Sequence, residues 1–161
     1  MAFRSQQLAG ATADQVDAAA QYPLGYVCQM FDPLYGAGEF IYLKGLAATA
    51  LGTWVKYLED DYTTALLAAN DIGQVAIAQA AVLAGQFGWY QIKGKAVGKA
   101  LAGYVDNALV YATATAGSVD DAVVAGDRVK KALGASAVGT PSAGLAEFEI
   151  DRPFMDDATA A

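Results

Sequence analysis

The chain has 161 residues, of which 55% are hydrophobic and only 17% charged, against about 25% charged in an average soluble domain. Ten Lys and Arg stand against seventeen Asp and Glu, a net charge of −7, which repels a phosphate backbone and excludes a general nucleic-acid binder. The absence of histidine removes Ser-His-Asp and Cys-His catalysis, His-ligated zinc or iron, and an imidazole pH switch. The apolar excess is largely alanine, roughly a fifth of the positions, which buries little area per residue. The length suits one domain, and a compact chain of this size buries about 68–70% of its unfolded surface. So much uncharged, weakly polar surface points to cover by other protein.

In chain order, residues 1–22 carry few large apolar groups and read as an N-terminal arm, coil or a frayed helical turn. The first strand is predicted over Leu24–Phe31, between Pro23 and Pro33, and Asp32–Gly38 reads as a turn. Glu39–Lys44 is apolar on both faces, as in a central strand. Thr53–Leu58, Thr63–Ala68 and Gln74–Gln79 follow as strands, and Phe87–Lys93 is rich in aromatic and β-branched residues. Gly94–Ala100 reads as a flexible hairpin with solvated lysines. Asn107–Thr115 is a further strand, Ser118–Asp121 and Gly126-Asp127 are turns, and Ala76–Ala84 and Ala132–Ala137 have some helical propensity. The last strand alternates Ala146, Phe148 and Ile150 with Glu147, Glu149 and Asp151, and Pro153 is expected to end it.

Short strands at about 8–12-residue spacing with glycine-rich turns predict an all-β fold. The expected form is an antiparallel β-sandwich, jelly-roll-like, or a β-barrel, with an extended N-terminal arm. The domain reading is an arm over residues 1–22, a β domain over 23–155 and a C-terminal tail over 156–161. No membrane segment is expected: between Asp61 and Lys93 the only charge is Asp71, but Asn70, Gln74, Gln79, Gln86 and three glycines interrupt that stretch.

The chemistry-bearing patterns all fall short of a site. Gly94-Lys95-Ala96-Val97-Gly98-Lys99-Ala100 has too short a glycine spacing for a phosphate loop, and Ala100 replaces the magnesium-binding hydroxyl. Gly36-Ala37-Gly38 precedes a strand rather than a helix and lacks the third glycine of a dinucleotide fingerprint. Glu59-Asp60-Asp61, Asp120-Asp121 and Asp156-Asp157 lack the spacing of a calcium loop. Cys28, the single cysteine, lies in an apolar run and reads as a buried thiol in a reducing compartment, and Met1–Gln7 lacks the apolar core of a secretory signal. No catalysis, cofactor or metal is expected. Trp54, Trp89, Tyr90, Tyr104 and Tyr111 suit either a core, an interface or a sugar-stacking platform.

Two runs carry a likeness to known proteins. They are Phe87-Gly88-Trp89-Tyr90-Gln91-Ile92-Lys93-Gly94 and the segment from Asp106 to Asp121, which contains Leu109-Val110-Tyr111-Ala112-Thr113-Ala114-Thr115-Ala116-Gly117. With Gly38–Gly45, Val124–Val129 and the terminal strand Glu147–Asp151, the chain resembles the capsid decoration, or cement, proteins of tailed bacteriophages over about residues 23–155. The resemblance implies a virion structural protein, assembled in the host cytoplasm. Its partners would be the major capsid protein and itself, as a homodimer or homotrimer. Deleting residues 2–20 would then leave the β domain folded and weaken capsid attachment. Trp54, Trp89 and Tyr90 are the candidate interface anchors, with ordinary core the competing reading for each. The alternative function is a carbohydrate-binding or head-fibre β module displayed for host attachment. A hydrolase built on two carboxylates is the third reading.

Overall fold

The structure is a computed structural model that describes residues 4–5 and 10–157. Its elements are all strands: β1 (Arg4–Ser5), β2 (Val16–Asp17), β3 (Val27–Asp32), β4 (Gly36–Lys44), β5 (Trp54–Tyr57), β6 (Thr64–Leu66), β7 (Ile72–Ala78), β8 (Phe87–Lys99), β9 (Leu109–Ala112), β10 (Val119–Asp120), β11 (Arg128–Gly134) and β12 (Leu145–Asp156). The strands pair antiparallel in the order β1-β3-β4-β8-β7-β12-β11-β9-β10, with β2 on β8 and β6 on β5. The path does not close on itself, so the fold is an antiparallel β-sandwich and the barrel alternative is not formed.

Two long strands organise it. β8 and β12 pair in register from Lys99↔Leu145 to Lys93↔Asp151 and then part. β7 enters the gap, with Ile77 and Ala78 paired to Gln91 and Tyr90 of β8, and Ile72–Gln74 paired to Phe154–Asp156 of β12. The parting needs unusual backbone on both sides. Gly94 has φ +100° and Arg152 φ +53°, and Lys131 (φ +59°) forms the matching bulge in β11 between Lys130↔Phe154 and Ala132↔Ile150.

Period-two alternation divides the apolar side chains among three clusters. On β4, Phe40 and Tyr42 join Trp89 on one side, while Ile41 and Leu43 join Tyr90 and Ile92 on the other. This accounts for a strand that is apolar on both faces. The third cluster lies between the β8–β12 pair and β5–β7 and holds Trp54, Ile77, Ala96, Phe148 and Ile150, with the Trp54 and Phe148 rings edge-to-face at 5.0 Å. Gly98 lets them approach, since a Cβ there would stand 2.6 Å from Trp54 Nε1.

Three expectations change. Gly94–Lys99 is not a hairpin but the second half of β8, held by six paired positions on β12. The helical propensity of Ala132–Ala137, already the lesser reading for a short glycine-bounded run, is not realised: Arg128–Gly134 is a strand between β9 and β12, where pairing on both edges overrides alanine's local preference. Ser118–Asp121 is not wholly a turn, because Val119 and Asp120 pair with Ala112 and Tyr111. Pro153 does not end the last strand. It lies beside the bulged Arg152, where the β12 ladder is already interrupted and a missing N–H donor costs little.

The segment expected as an arm is docked over residues 10–22, while residues 1–3 and 6–9 lie outside the described residues. Ala11 and Ala13 are buried against Trp89 and Met30. Val16 and Asp17 pair with Gly88 and Phe87. Tyr42 Oη donates to Asp17 Oδ2 at 2.5 Å and accepts from Gln21 N at 3.2 Å. Tyr22 packs on Tyr42 and Trp89 with ring centroids 5.2 and 5.3 Å apart. Small alanines permit close approach, so the segment contributes contact without large side chains. Deleting residues 2–20 therefore removes part of a core cluster rather than a free arm.

Two outcomes are expected. Gly94→Ala places a Cβ 2.6 Å from the Ala37 carbonyl oxygen at a left-handed φ, and lowers stability by about 2–4 kcal/mol in urea denaturation. Asp17→Ala strands the Tyr42 hydroxyl, costs about 1–3 kcal/mol, and makes residues 10–22 the first site of limited proteolysis.

Candidate functional site

The residues singled out by sequence as interface anchors are core. Trp54, Trp89 and Tyr90 are each 0% exposed, one or more in every cluster, so they offer no surface to a partner of the folded chain. Tyr104 and Tyr111 are buried as well. Tyr104 packs on Phe148 at 5.3 Å and donates to the Ala108 carbonyl at 3.0 Å. Large apolar rings in strands flanked by alternating small residues are drawn inward by the area they bury.

What the fold places at the surface is the outward side of the β8–β12 pair and its neighbours. The alternation that buries Ala96, Phe148 and Ile150 turns Lys93, Lys95, Glu147, Glu149 and Asp151 outward. β3 and β4 add Gln29, Phe31, Ala37 and Glu39 on one flank. β11 and β9 add Lys131, Leu133 and Leu109 on the other. Two shallow grooves run along this face. One, of about 370 Å³, is lined by Gln29, Glu39, Lys93, Lys95 and Glu149 over a floor that includes Gly38 and Gly94. The other, of about 360 Å³, is lined by Leu109, Arg128, Lys131, Leu133 and Glu149.

Ion pairs tie the first groove together. Lys95 reaches Glu147 at 2.6 Å, Arg152 reaches Glu39 at 3.0 Å, and Lys93 lies 3.6 Å from Asp151. Lys95 also sits 5.7 Å from the centre of the Tyr35 ring. Burial, and then the neighbouring Glu147 carboxylate, raise the Tyr35 phenol above its ordinary value. Exposed pairs of this kind contribute about 0–1 kcal/mol each, so they shape the face more than they hold the fold. Five of the ten cations (Lys93, Lys95, Arg128, Lys131 and Arg152) lie here, against four of the seventeen acids (Glu39, Glu147, Glu149 and Asp151). The face is thus balanced in charge on a chain that is acidic elsewhere.

The carboxylates of the chain do not gather into a metal cage: among the described residues no three His, Cys, Asp or Glu side chains converge. Asp127, buried at 4% exposure, accepts from the Asn70 backbone N–H at 2.6 Å and pins the loop after β6. Cys28 is buried beside Met30, Phe40 and Trp89. Among the described residues no helix is long and apolar enough to cross a membrane.

Sequence reasoning flagged Glu147, Glu149 and Asp151 as solvent-facing and left their counter-charges unplaced. Lys93, Lys95 and Lys99 stand out as a cationic group suited to a solvated or protein-facing patch, but the glycine after Lys93 reads as a loop and leaves their place on one strand open. Lys131, Leu133 and Leu109 belong to strands whose register only pairing defines. Compared with known protein families, curated proteins and solved structures, the chain matches none.

Burial fixes the pH response of the cluster that holds Tyr57 and Tyr90. Desolvation pushes the Tyr57 phenol up to about 12, reinforced by Glu59. It also pushes Tyr90 up to about 12, against the opposing Thr64 and Thr49 hydroxyls. The folded chain holds these protons where the unfolded chain, with an ordinary value of 10.0, has lost them. Stability from this source is therefore complete below pH 10 and falls as pH rises towards 12, by about 1.4 kcal/mol per pH unit for each tyrosine. Urea midpoints measured between pH 8 and 12 should show the fall starting near pH 10. Tyr90→Phe should make the fall shallower by about 1.4 kcal/mol per pH unit, the Tyr57 share remaining.

Proposed function

We propose that the protein is a virion structural component of the decoration, or cement, type. In this reading it binds the outer surface of a tailed-phage capsid and stabilises the lattice of major capsid subunits without catalysis. The observation that carries the reading is where the resembling segments lie. Gly38–Gly45, Phe87–Gly94, the run through Leu109–Ala112 to Asp121, Val124–Val129 and Glu147–Asp151 fall largely on β4, β8, β9, β10, β11 and β12 and the turns beside them. These are the strands that form the body and its charged outward face, so the likeness is one of architecture and surface rather than of a reaction centre. The physical role is linkage: a protein that binds only the assembled shell stabilises it by mass action, and many symmetric copies add avidity. The carbohydrate alternative loses its main support, because the five aromatics suited to sugar stacking are buried.

The test is co-sedimentation of the purified chain with phage shells lacking a decoration protein, alongside a glycan array. Saturable binding to shells, a higher temperature of genome release from decorated particles and no glycan signal are expected. Glycan binding without shell binding would reverse the assignment.

A further inference from the structure

The outward face carries a pattern that strand register makes explicit. At one level, Phe31 and Ala37 are direct partners on β3 and β4. Ala37 lines the same groove as Lys95, Lys95 is opposite Glu149, Glu149 opposite Leu133 and Leu133 opposite Leu109. Across the six strands this level reads apolar, small, positive, negative, apolar, apolar. At the next level Gln29, Glu39, Lys93 and Asp151 are successive partners, and the bulged Lys131 stands on the far side of Asp151. That level reads polar, negative, positive, negative, positive.

Both levels change sign across the line between β8 and β12. Apolar residues occupy matching places on the two flanks, with Phe31 52% exposed and Leu109 39%. A twofold axis along that line, parallel to the strands, would set Lys95 against Glu149 of a second copy. It would also set Lys93 against Asp151, Glu39 against Lys131, and Phe31 against Leu109. An isologous interface requires this: each residue must suit the residue that symmetry brings to it. Arg152, Glu147 and Arg128 fall outside the pattern; Arg152 is engaged by Glu39 and Glu147 by Lys95 within the chain.

We propose that this face is a twofold docking surface for a second copy of the chain, packed sheet on sheet with the axis between β8 and β12. Net charge favours this face over the rest of the molecule. Two copies of net charge −7 repel over most approaches, whereas this surface sets Lys95 against Glu149, Lys93 against Asp151 and Glu39 against Lys131, each pair made twice by symmetry. The area suffices. Six strands about 4.8 Å apart and about 20 Å long present about 600 Å² per copy, or about 1,200 Å² in the pair, the lower end for a specific interface. The proposal does not rest on capsid attachment and stands or falls separately from it.

The experiment is sedimentation equilibrium of the full chain over roughly 1 μM to 1 mM. A monomer–dimer equilibrium that weakens with added salt is expected. Glu149→Lys should raise the dissociation constant by about tenfold or more, since it places like charges together twice by symmetry. Adding Lys95→Glu should recover most of the loss. Leu109→Asp, which touches no ion pair, should also weaken the dimer, and circular dichroism should show both single variants folded. A chain that stays monomeric throughout, or an oligomer indifferent to Glu149→Lys and Leu109→Asp, would overturn the proposal. A monomer whose shell binding is abolished by Glu149→Lys would overturn it too, by assigning the face to a capsid subunit and leaving the functional reading intact.

Discussion

The structure depends on the parting of β8 and β12. Seven paired positions hold the two strands together. Beyond Lys93 and Asp151 each must turn away without leaving its backbone donors and acceptors unpaired in the interior, where every orphan group is costly. The insertion of β7 solves this, because one edge of that strand pairs with both diverging strands. Gly94 and Arg152, with left-handed backbone, set the divergence. Ala37 occupies the space that any side chain at Gly94 would need.

Once the fork is set, the rest of the body is assigned by the two-residue period. The inner side of the β8–β12 pair becomes the cluster around Trp54 and Phe148. Past the fork, β8 is covered on both faces, by Tyr22 and Ala13 on the Trp89 side and by Val55 and Ala76 on the Tyr90 side. The outer side of the pair is covered at Val97 but open from Lys95 and Glu149 to Lys93 and Asp151, and there the lysines and carboxylates collect. The low overall charge follows from this division. Alanine and glycine fill places where strands and the docked segment approach closely, and half of the cations are concentrated on one sheet face.

Legibility in the sequence varied with how local each signal is. β12 announces itself because one face is apolar and the other acidic within a single run. β4 was readable because a fully buried strand is apolar at every step. β11 was not: Arg128-Val129-Lys130-Lys131-Ala132-Leu133-Gly134 contains a bulge that shifts the alternation. The Gly94–Lys99 segment was missed for a related reason, since glycines and lysines suggest a solvated loop until a carboxylate-bearing partner strand is placed beside them. The charged face was half visible, as carboxylates without partners. Trp54, Trp89 and Tyr90 were visible as important residues, but their direction was undetermined, because a ring suits a core and an interface equally well by composition.

From the sequence alone came the all-β class, the strand-sized spacing of its turns and the absence of imidazole chemistry. These are properties of composition and nearest-neighbour pattern. Only the tertiary structure decided that the bend at Gly94 continues one strand rather than joining two, that residues 10–22 close a core, and that opposite charges from six strands share one face. Those outcomes depend on pairing between residues far apart in the chain. Its energy comes from backbone hydrogen bonds and buried area that no local window contains.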